Sequence, residues 1–246
     1  MAKRRKSRVR WGRVITALVA LALVVFLVIK GITLLFGYIS QIDLGNLISN
    51  KNYIATVVID PGHGGEDTGY TYNELLEKDV NLKVSQEIAK VLEKNNIQAI
   101  LTRNEDVALA ELKDDDLALR VNAAADNKAM YFVSVHVNSY QGNEAITGYE
   151  IYTKNKDSEE IANSVIASLK DAGFENSRGI YDGDVLYVLR RNQVNAILIE
   201  MGYINSSDID YMNDDAKLKE FAKGIAKGIV QQIENQLGLN ELNENQ

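Results

Sequence analysis

Residues 56–70 read TVVIDPGHGGEDTGY, an apolar run that ends at Asp60 and is followed by a glycine-rich turn. The chain has one proline and two histidines, and this turn contains both Pro61 and His63. Proline fixes the backbone φ angle, whereas glycine permits a positive φ and leaves room for close approach of other groups. The stretch therefore predicts a buried strand that ends in a rigid turn and presents His63.

Short apolar runs typical of strands alternate with stretches of helical periodicity along the rest of the chain. This alternation indicates an α/β fold in which a largely parallel, twisted sheet of about six strands is covered by helices on both faces. The predicted strands are residues 56–60, 97–103, 130–137, 148–153, 185–189 and 195–203. The predicted helices are residues 78–95, 116–127, 157–172 and 215–236.

The N-terminal region differs from the rest of the chain in charge and hydropathy. Residues 1–13 carry seven basic side chains and no acidic one, and residues 14–39 are mostly apolar. A helix of about 20 apolar residues spans a bilayer, and basic residues before such a span favour a cytoplasmic N terminus. We therefore expect one uncleaved transmembrane helix over residues 14–39, which would place the protein in the cell membrane with its larger part on the extracytoplasmic side.

Composition limits the possible partners and chemistries. Residues 31–246 carry 19 basic and 34 acidic side chains, which argues against a nucleic-acid partner. The chain has no cysteine, so disulfides, thiolate metal sites and cysteine nucleophiles are excluded. We expect a monomer with a basic cytoplasmic segment (1–13), a transmembrane anchor (14–39), a linker (40–52), a globular domain (53–237) and a disordered tail (238–246).

The second histidine, His136, stands near the end of another predicted strand, MYFVSVHV. A histidine in an apolar strand is more often a packed core residue than a ligand. Here, however, both histidines follow or end strands whose carboxyl ends would meet at one edge of a parallel sheet. Two imidazoles and a carboxylate are a common set of zinc ligands. Spacing alone does not choose between Glu74 and Glu77 for the carboxylate, and it favours both over the two other acidic residues of the loop, Glu66 and Asp67.

Two further carboxylates stand at strand ends. Glu200 ends the apolar run AILIE, and burial there would raise its pKa toward values useful for proton transfer. Asp60 precedes the glycine-rich turn, where it could orient His63 through the second ring nitrogen or accept hydrogen bonds from the amides of the loop.

Five blocks of sequence together resemble the catalytic domain of type-3, zinc-dependent N-acetylmuramoyl-L-alanine amidases. The blocks are DPGHGGEDTG, LLEKDVNL, LTR, VSVHVNS and IEMGYINS, and the resemblance spans residues 54–236. It implies a zinc ion held by His63, Glu77 and His136, with Glu200 as the catalytic carboxylate. The resemblance, rather than the spacing, favours Glu77 over Glu74.

The resemblance also implies an activity and a substrate. Such enzymes hydrolyse the amide bond between N-acetylmuramic acid and the L-alanine of the peptidoglycan stem peptide. Arginines near predicted strand ends or loops could bind carboxylates of that peptide, with Arg190 and Arg103 ahead of Arg178 and Arg191. The sequence carries no signal for or against an activator protein.

Two other functions are compatible with the same residues. One is a zinc carboxypeptidase acting on wall peptides, and the other is a catalytically inactive, membrane-tethered protein that binds the wall. Serine hydrolases of the G-x-S-x-G type and P-loop, H-E-x-x-H or EF-hand proteins are excluded because their motifs are absent from the sequence.

Overall fold

The computed structural model describes residues 51–142 and 146–239, together with residues 21, 23 and 25–31. Contacts divide the chain into two units, residues 1–51 and residues 52–246. In the second unit the strands are β1 (Ala55–Pro61), β2 (Thr71–Tyr72), β3 (Leu75–Leu76), β4 (Ile97–Leu101), β5 (Tyr131–Asn138), β6 (Tyr149–Thr153), β7 (Ser177–Asp182) and β8 (Asn195–Tyr203). The helices are α1 (Glu77–Lys94), α2 (Lys113–Asp126), α3 (Glu159–Asp171), α4 (Tyr187–Arg190), α5 (Ile209–Met212) and α6 (Asp215–Gln236).

Six of these strands form one sheet in the order β4-β1-β5-β8-β6-β7. Strands β4, β1, β5 and β8 are parallel to one another, β6 is antiparallel to β8, and β7 is parallel to β6. The predicted α/β class and the largely parallel sheet of six strands therefore agree with the structure. Because β1, β5 and β8 are adjacent and parallel, their carboxyl ends lie side by side.

Helices cover both faces of the sheet, as predicted. On one face, the apolar residues of α1, α3 and α6 pack in one core cluster with alternate residues of the strands, such as Ile59 and Val133. On the other face, α2 and α4 cover a smaller cluster that includes Phe132 and Leu198. Alternate residues of a strand point to opposite faces, so the even-numbered residues His136 and Glu200 lie on the face covered by α2 and α4.

The prediction of a transmembrane helix over residues 14–39 has to be corrected. Within that range the structure describes residues 21, 23 and 25–31, which are helical and exposed, and the remainder lies outside the described residues. Among the helices that are described, none combines the length and the apolar character that a membrane span requires. The predicted segment 1–13, most of the linker and residues 240–246 of the predicted tail (238–246) also lie outside the described residues.

One predicted strand is wrong, and three observed strands, the short β2 and β3 and the sheet strand β7, were not predicted. The run at residues 185–189 contributes to the short helix α4, whose Val188 and Leu189 are buried against the smaller core cluster. The sixth strand of the sheet is instead β7, which reads SRGIYD. This strand lies at the edge of the sheet and is partly exposed, so it has neither a continuous apolar run nor a regular alternation.

Helices α3 and α6 pack so closely that a glycine is required where they meet. A Cβ atom added to Gly228 would lie 2.5 Å from the Cα of Val165 and 2.7 Å from the carbonyl oxygen of Ser164. A Cβ on Gly224 would meet the side-chain end of Leu169 first, at 2.9 Å. Backbone atoms cannot move as easily as the end of a leucine side chain, so the two glycines should differ in tolerance.

We expect Gly228→Ala to lower the free energy of unfolding by about 1–3 kcal/mol, because the backbone of α3 must shift to relieve the overlap. Gly224→Ala is the matched control. There the gain in helix propensity, about 1 kcal/mol, offsets a small side-chain adjustment, and stability should change little. Urea denaturation of both variants measures the difference, and equal effects would contradict this account of the helix contact.

Candidate active site

Three potential metal ligands converge at the carboxyl ends of the central strands. Among the described residues, His63, Glu77 and His136 place one ligand atom each within 4.8 Å of one another. The Oε1 atom of Glu77 lies 3.2 Å from Nε2 of His63 and 3.0 Å from Nδ1 of His136. The two imidazole rings meet edge to face with centroids 5.0 Å apart. The structure thus brings together two histidines and the acidic residue that the family resemblance had favoured.

The turn after β1 gives His63 its position through an unusual backbone conformation. His63 has a φ angle of +62°, in the left-handed region that non-glycine residues seldom adopt. A Cβ on Gly62 would overlap the ring of His136, and a Cβ on Gly69 would overlap the carboxylate of Glu77. These two glycines are therefore needed to leave space for the other two side chains.

Glu77 is the first residue of α1 and is only 1% exposed. Its Oε2 accepts a hydrogen bond from the backbone N–H of Tyr70, and its Oε1 accepts one from the N–H of Val137. Burial alone would raise the pKa of Glu77, but hydrogen bonds with His136 and His63 and the charges of both rings lower it strongly overall. The carboxylate is therefore ionised and fixed in place.

The other acidic residues of the loop are placed differently. Glu74 is exposed, and Glu66 lies at the wall of the cavity described below. Asp67 Oδ1 lies 2.9 Å from His63 Nδ1 and also accepts a hydrogen bond from the N–H of Gly69. Burial alone would lower the pKa of His63, but Glu77 and Asp67 together raise it.

Asp60 does not orient His63, nor does it bond amides of the loop. It is completely buried, and its carboxylate accepts hydrogen bonds from Thr102 Oγ1, Ser134 Oγ and Arg120 Nη1. Burial alone would raise the pKa of Asp60, but the charge of Arg120 and the hydroxyl hydrogen bonds lower it overall. Both roles expected for Asp60 from the sequence are therefore wrong, and its actual partner is a buried arginine.

Arg120 connects that carboxylate to the turn that carries His63. Its Nη1 also donates to the carbonyl of Pro61, and its Nη2 donates to the carbonyl of His63 itself, each at 2.8 Å. Its Nε binds Asp116 at 2.5 Å. The side chain is 4% exposed, so these contacts hold the turn from beneath.

Arg103, predicted to bind substrate, is also a buried support of the same turn. It is 3% exposed, and its guanidinium donates to the carbonyls of Pro61, Gly62, Lys78 and Glu105. These contacts direct the guanidinium into the protein and leave it no free face for a ligand.

Arg190, the other arginine predicted to bind substrate, is exposed at the end of α4. Its Nη1 donates to the carbonyl of Asp184 at 3.1 Å. Arg190 is not among the residues that line the cavity beside the two histidines. In the described part of the chain, no contact joins Arg190 to either histidine.

Glu200 lies on β8 directly opposite His136 of β5 in the parallel register. Its Oε2 atom is buried and has no hydrogen-bond partner among the described residues. Burial raises the pKa of Glu200 well above its ordinary value, and the carboxylates of Glu77 and Glu150 raise it further. Such surroundings favour the protonated form of a carboxyl group, and a general acid or base must be able to gain and to lose a proton.

A cavity of about 900 Å³ opens beside His63 and His136. The turn after β1, residues between Ala108 and Arg120, and Val188 of α4 form its wall. Ligand pockets commonly measure about 300–1,000 Å³, so the cavity can hold several units of an extended substrate next to the two histidines.

A protein-family model described as N-acetylmuramoyl-L-alanine amidase matches residues 57–231. The chain belongs to this amidase family. The solved amidase AmiC2 of Nostoc punctiforme is 34% identical, with a TM-score of 0.65, and the match covers 72% of this chain and 96% of that one. This result confirms the predicted family.

Two curated relatives of this amidase are bacterial proteins. The uncharacterized protein YqiI of Bacillus subtilis is 35% identical over 179 residues, which cover 71% of this chain and 82% of the relative. The probable cell wall amidase LytH of Staphylococcus aureus is 29% identical over 178 residues, and the match covers 71% of this chain and 57% of LytH.

Sequence reasoning missed two residues that shape the site of this amidase. Arg120 lies on the buried side of α2, and Glu150 lies within the otherwise uncharged strand β6. The signal for Glu150 was available, because a charged residue within an apolar strand was the same feature that drew attention to Glu200. Arg120 gave no comparable signal, since an arginine on a helix is usually solvated.

We expect Arg120→Met to lower the free energy of unfolding by about 3–5 kcal/mol, because it leaves the buried carboxylate of Asp60 without its cation. Arg191→Met, at an exposed arginine, serves as the control and should change stability by less than about 0.5 kcal/mol. Adding Asp60→Asn to Arg120→Met should recover part of the loss. Urea denaturation measures all three, and an Arg120 effect as small as the control would contradict the role of this pair.

Proposed function

We propose that this amidase hydrolyses the bond between N-acetylmuramic acid and L-alanine in peptidoglycan, using a zinc ion held by His63, Glu77 and His136. The observation that carries the proposal is the convergence of these three side chains beside the buried carboxyl group of Glu200 in a chain of this family. The family match, the related solved amidase and the probable cell wall amidase LytH support the substrate.

The three side chains fit a zinc ion by their chemistry and their spacing. Two histidine nitrogens and one glutamate oxygen are a ligand set that catalytic zinc sites use, and a fourth position stays open. Ligands about 2.0–2.1 Å from a tetrahedral zinc ion lie about 3.3 Å from each other. The observed separations of 3.2 and 3.0 Å between Glu77 and the two imidazoles are close to that value.

The residues of the chain supply the rest of the chemistry. A zinc ion, when bound here, supplies a Lewis acid that polarises the scissile carbonyl and lowers the pKa of a water molecule. Glu200 accepts a proton from the attacking water and delivers it to the nitrogen of the leaving L-alanine. Its buried position suits both steps, because the raised pKa lets it hold the proton between them.

The zinc carboxypeptidase and the inactive wall-binding protein remain the alternatives. A carboxypeptidase would release a terminal amino acid, whereas the amidase separates whole stem peptides from the glycan. An inactive protein would release nothing. Mass spectrometry of products from purified peptidoglycan distinguishes the three outcomes directly.

The substrate also suggests a location. Peptidoglycan lies outside the cytoplasmic membrane, so we infer that residues 53–237, the proposed catalytic domain, act on the extracytoplasmic side. The monomeric state and the absence of a nucleic-acid partner stay predictions.

We expect Glu77→Gln to weaken zinc binding by more than about 100-fold and to abolish release of stem peptides, because it removes the anionic ligand. Glu74→Gln is the matched control, since this exposed glutamate lies three residues earlier, and it should keep both zinc and activity. Zinc content is measured by atomic absorption after dialysis against a weak chelator. Equal zinc contents in the two variants would contradict the assigned ligand set.

We expect Glu200→Gln to lower kcat by about 10²- to 10⁴-fold, since the amide cannot carry the proton, while zinc content stays at the wild-type level. Glu159→Gln, at an exposed position on α3, is the control and should leave kcat unchanged. Release of stem peptides is followed by chromatography. Wild-type kcat in Glu200→Gln would overturn the proposed role of this residue.

A further inference from the structure

A charged side chain on the far side of Glu200 has no role in the chemistry described so far. Glu150 on β6 is the direct register partner of Glu200 in the antiparallel pair of β6 and β8. Side chains of directly opposed residues lie on the same face of a sheet, close to each other. Glu150 therefore stands next to Glu200, on the side away from His136.

Glu150 is firmly held in this position. It is 4% exposed, and its Oε1 accepts hydrogen bonds from Arg178 Nε at 2.6 Å and from the hydroxyl of Tyr203 at 2.5 Å. Its Oε2 accepts a third hydrogen bond from the hydroxyl of Tyr152 at 3.0 Å. Three donors hold this buried carboxyl group in one position.

Arg178 gains its position from these contacts but uses little of its binding capacity for them. Only Nε donates to Glu150, and the guanidinium carbon lies 5.7 Å from the centre of the Tyr203 ring. The side chain is 35% exposed. In the described part of the chain, no hydrogen bond or ion pair engages its two terminal nitrogens, which together carry four N–H groups.

This arrangement differs from that of the two other arginines near the site. Arg103 and Arg120 are buried, and their guanidinium groups donate hydrogen bonds to backbone carbonyls and to carboxylates of the protein. Arg178 instead is partly exposed and binds Glu150 through Nε alone, so within the described residues its two terminal nitrogens have no hydrogen-bond partner. A guanidinium in this state is prepared to bind a carboxylate through two parallel hydrogen bonds.

The charges around the site also call for a cation at this place. Glu77, Glu150 and Glu200 form a cluster of three carboxyl groups, and the whole chain carries a net charge of −7. An exposed cation beside these groups offsets part of the negative field that an anionic substrate meets. Arg178 is an exposed cation that contacts Glu150, the register partner of Glu200.

We propose that Arg178 binds a carboxylate of the stem peptide next to the scissile bond, with Glu150 as the residue that positions it. The inference rests on the proposed amidase function and adds a determinant of specificity to it. Substrates in which this carboxylate is free are then preferred over substrates in which it is converted to a carboxamide, because the neutral amide cannot accept two charge-assisted hydrogen bonds.

The test compares two soluble muropeptides that differ only in this group, one with the free carboxylate on the second residue of the peptide and one with the carboxamide. The zinc-loaded chain of 246 residues is assayed as wild type, Arg178→Gln, Arg178→Lys and Lys170→Gln. The last variant removes one exposed positive charge on α3, away from the site, and controls for net charge. Thermal unfolding of each variant is measured alongside.

We expect the wild type to cleave the carboxylate substrate with a kcat/KM about 10-fold or more above that for the carboxamide. Arg178→Gln should lower kcat/KM for the carboxylate substrate by about 10- to 100-fold and for the carboxamide by less than about 3-fold. Arg178→Lys keeps the charge without the planar fork, so its preference should fall between the two. Lys170→Gln should behave as the wild type does.

Equal losses on both substrates, or no loss on either, would overturn the inference while leaving the amidase function in place. If Arg178→Gln fails to fold, Arg178→Lys decides instead, and a preference equal to that of the wild type overturns the inference. Failure of the wild type to cleave either muropeptide counts against the proposed function itself, and the inference falls with it.

Discussion

The parallel register of β1, β5 and β8 is the constraint on which the site depends. It sets Asp60 beside Ser134 and His136 beside Glu200, so that groups far apart in the sequence share one edge of the sheet. The three strands are largely buried and apolar, and their acidic and histidine side chains, Asp60, His136 and Glu200, stand toward the carboxyl ends. Apolar packing therefore sets the register of the strands, and the register determines which side chains meet at the site.

Buried basic side chains hold the turn that follows β1. The turn after β1 exposes several backbone carbonyls to the interior, and unpaired polar groups there would cost about 1–3 kcal/mol each. Arg103 and Arg120 satisfy these carbonyls from below, while Lys78 joins the carbonyl of Gly65 to Asp106 from the side. A strained turn with φ of +62° at His63 stays ordered because so many contacts determine it.

The parts of the fold that sequence predicts well are those in which one local signal is strong. Strand 195–203 and helix 215–236 have the predicted bounds, since a long apolar run and a long periodic segment are hard to misread. Strand β7 was not predicted because this edge strand, with a glycine near its centre, shows neither an apolar run nor a regular alternation. Residues 185–189 were wrongly predicted as a strand because four apolar residues out of five suit a buried helix as well as a strand. The membrane helix predicted at residues 14–39 found no support among the described residues.

For the site, the sequence could name the histidines and Glu200 because rare or charged residues stood at strand ends. It could not choose Glu77 over Glu74 by spacing, because burial of the first residue of α1 depends on how that helix docks against β5. Long-range partners such as Arg120 for Asp60, 60 residues apart, are invisible to any local pattern.

The absent side chain at Gly62 has a wider consequence. The ring of His136 on β5 occupies the volume that a Cβ at residue 62, directly after β1, would need. The ring and the turn after β1 are therefore in direct contact. If β1 and β5 paired one residue out of step, the ring of His136 would turn toward the opposite face of the sheet, away from Gly62. His63, Glu77 and His136 therefore come together only in a correctly paired sheet, so the proposed metal site depends on correct folding of the whole domain.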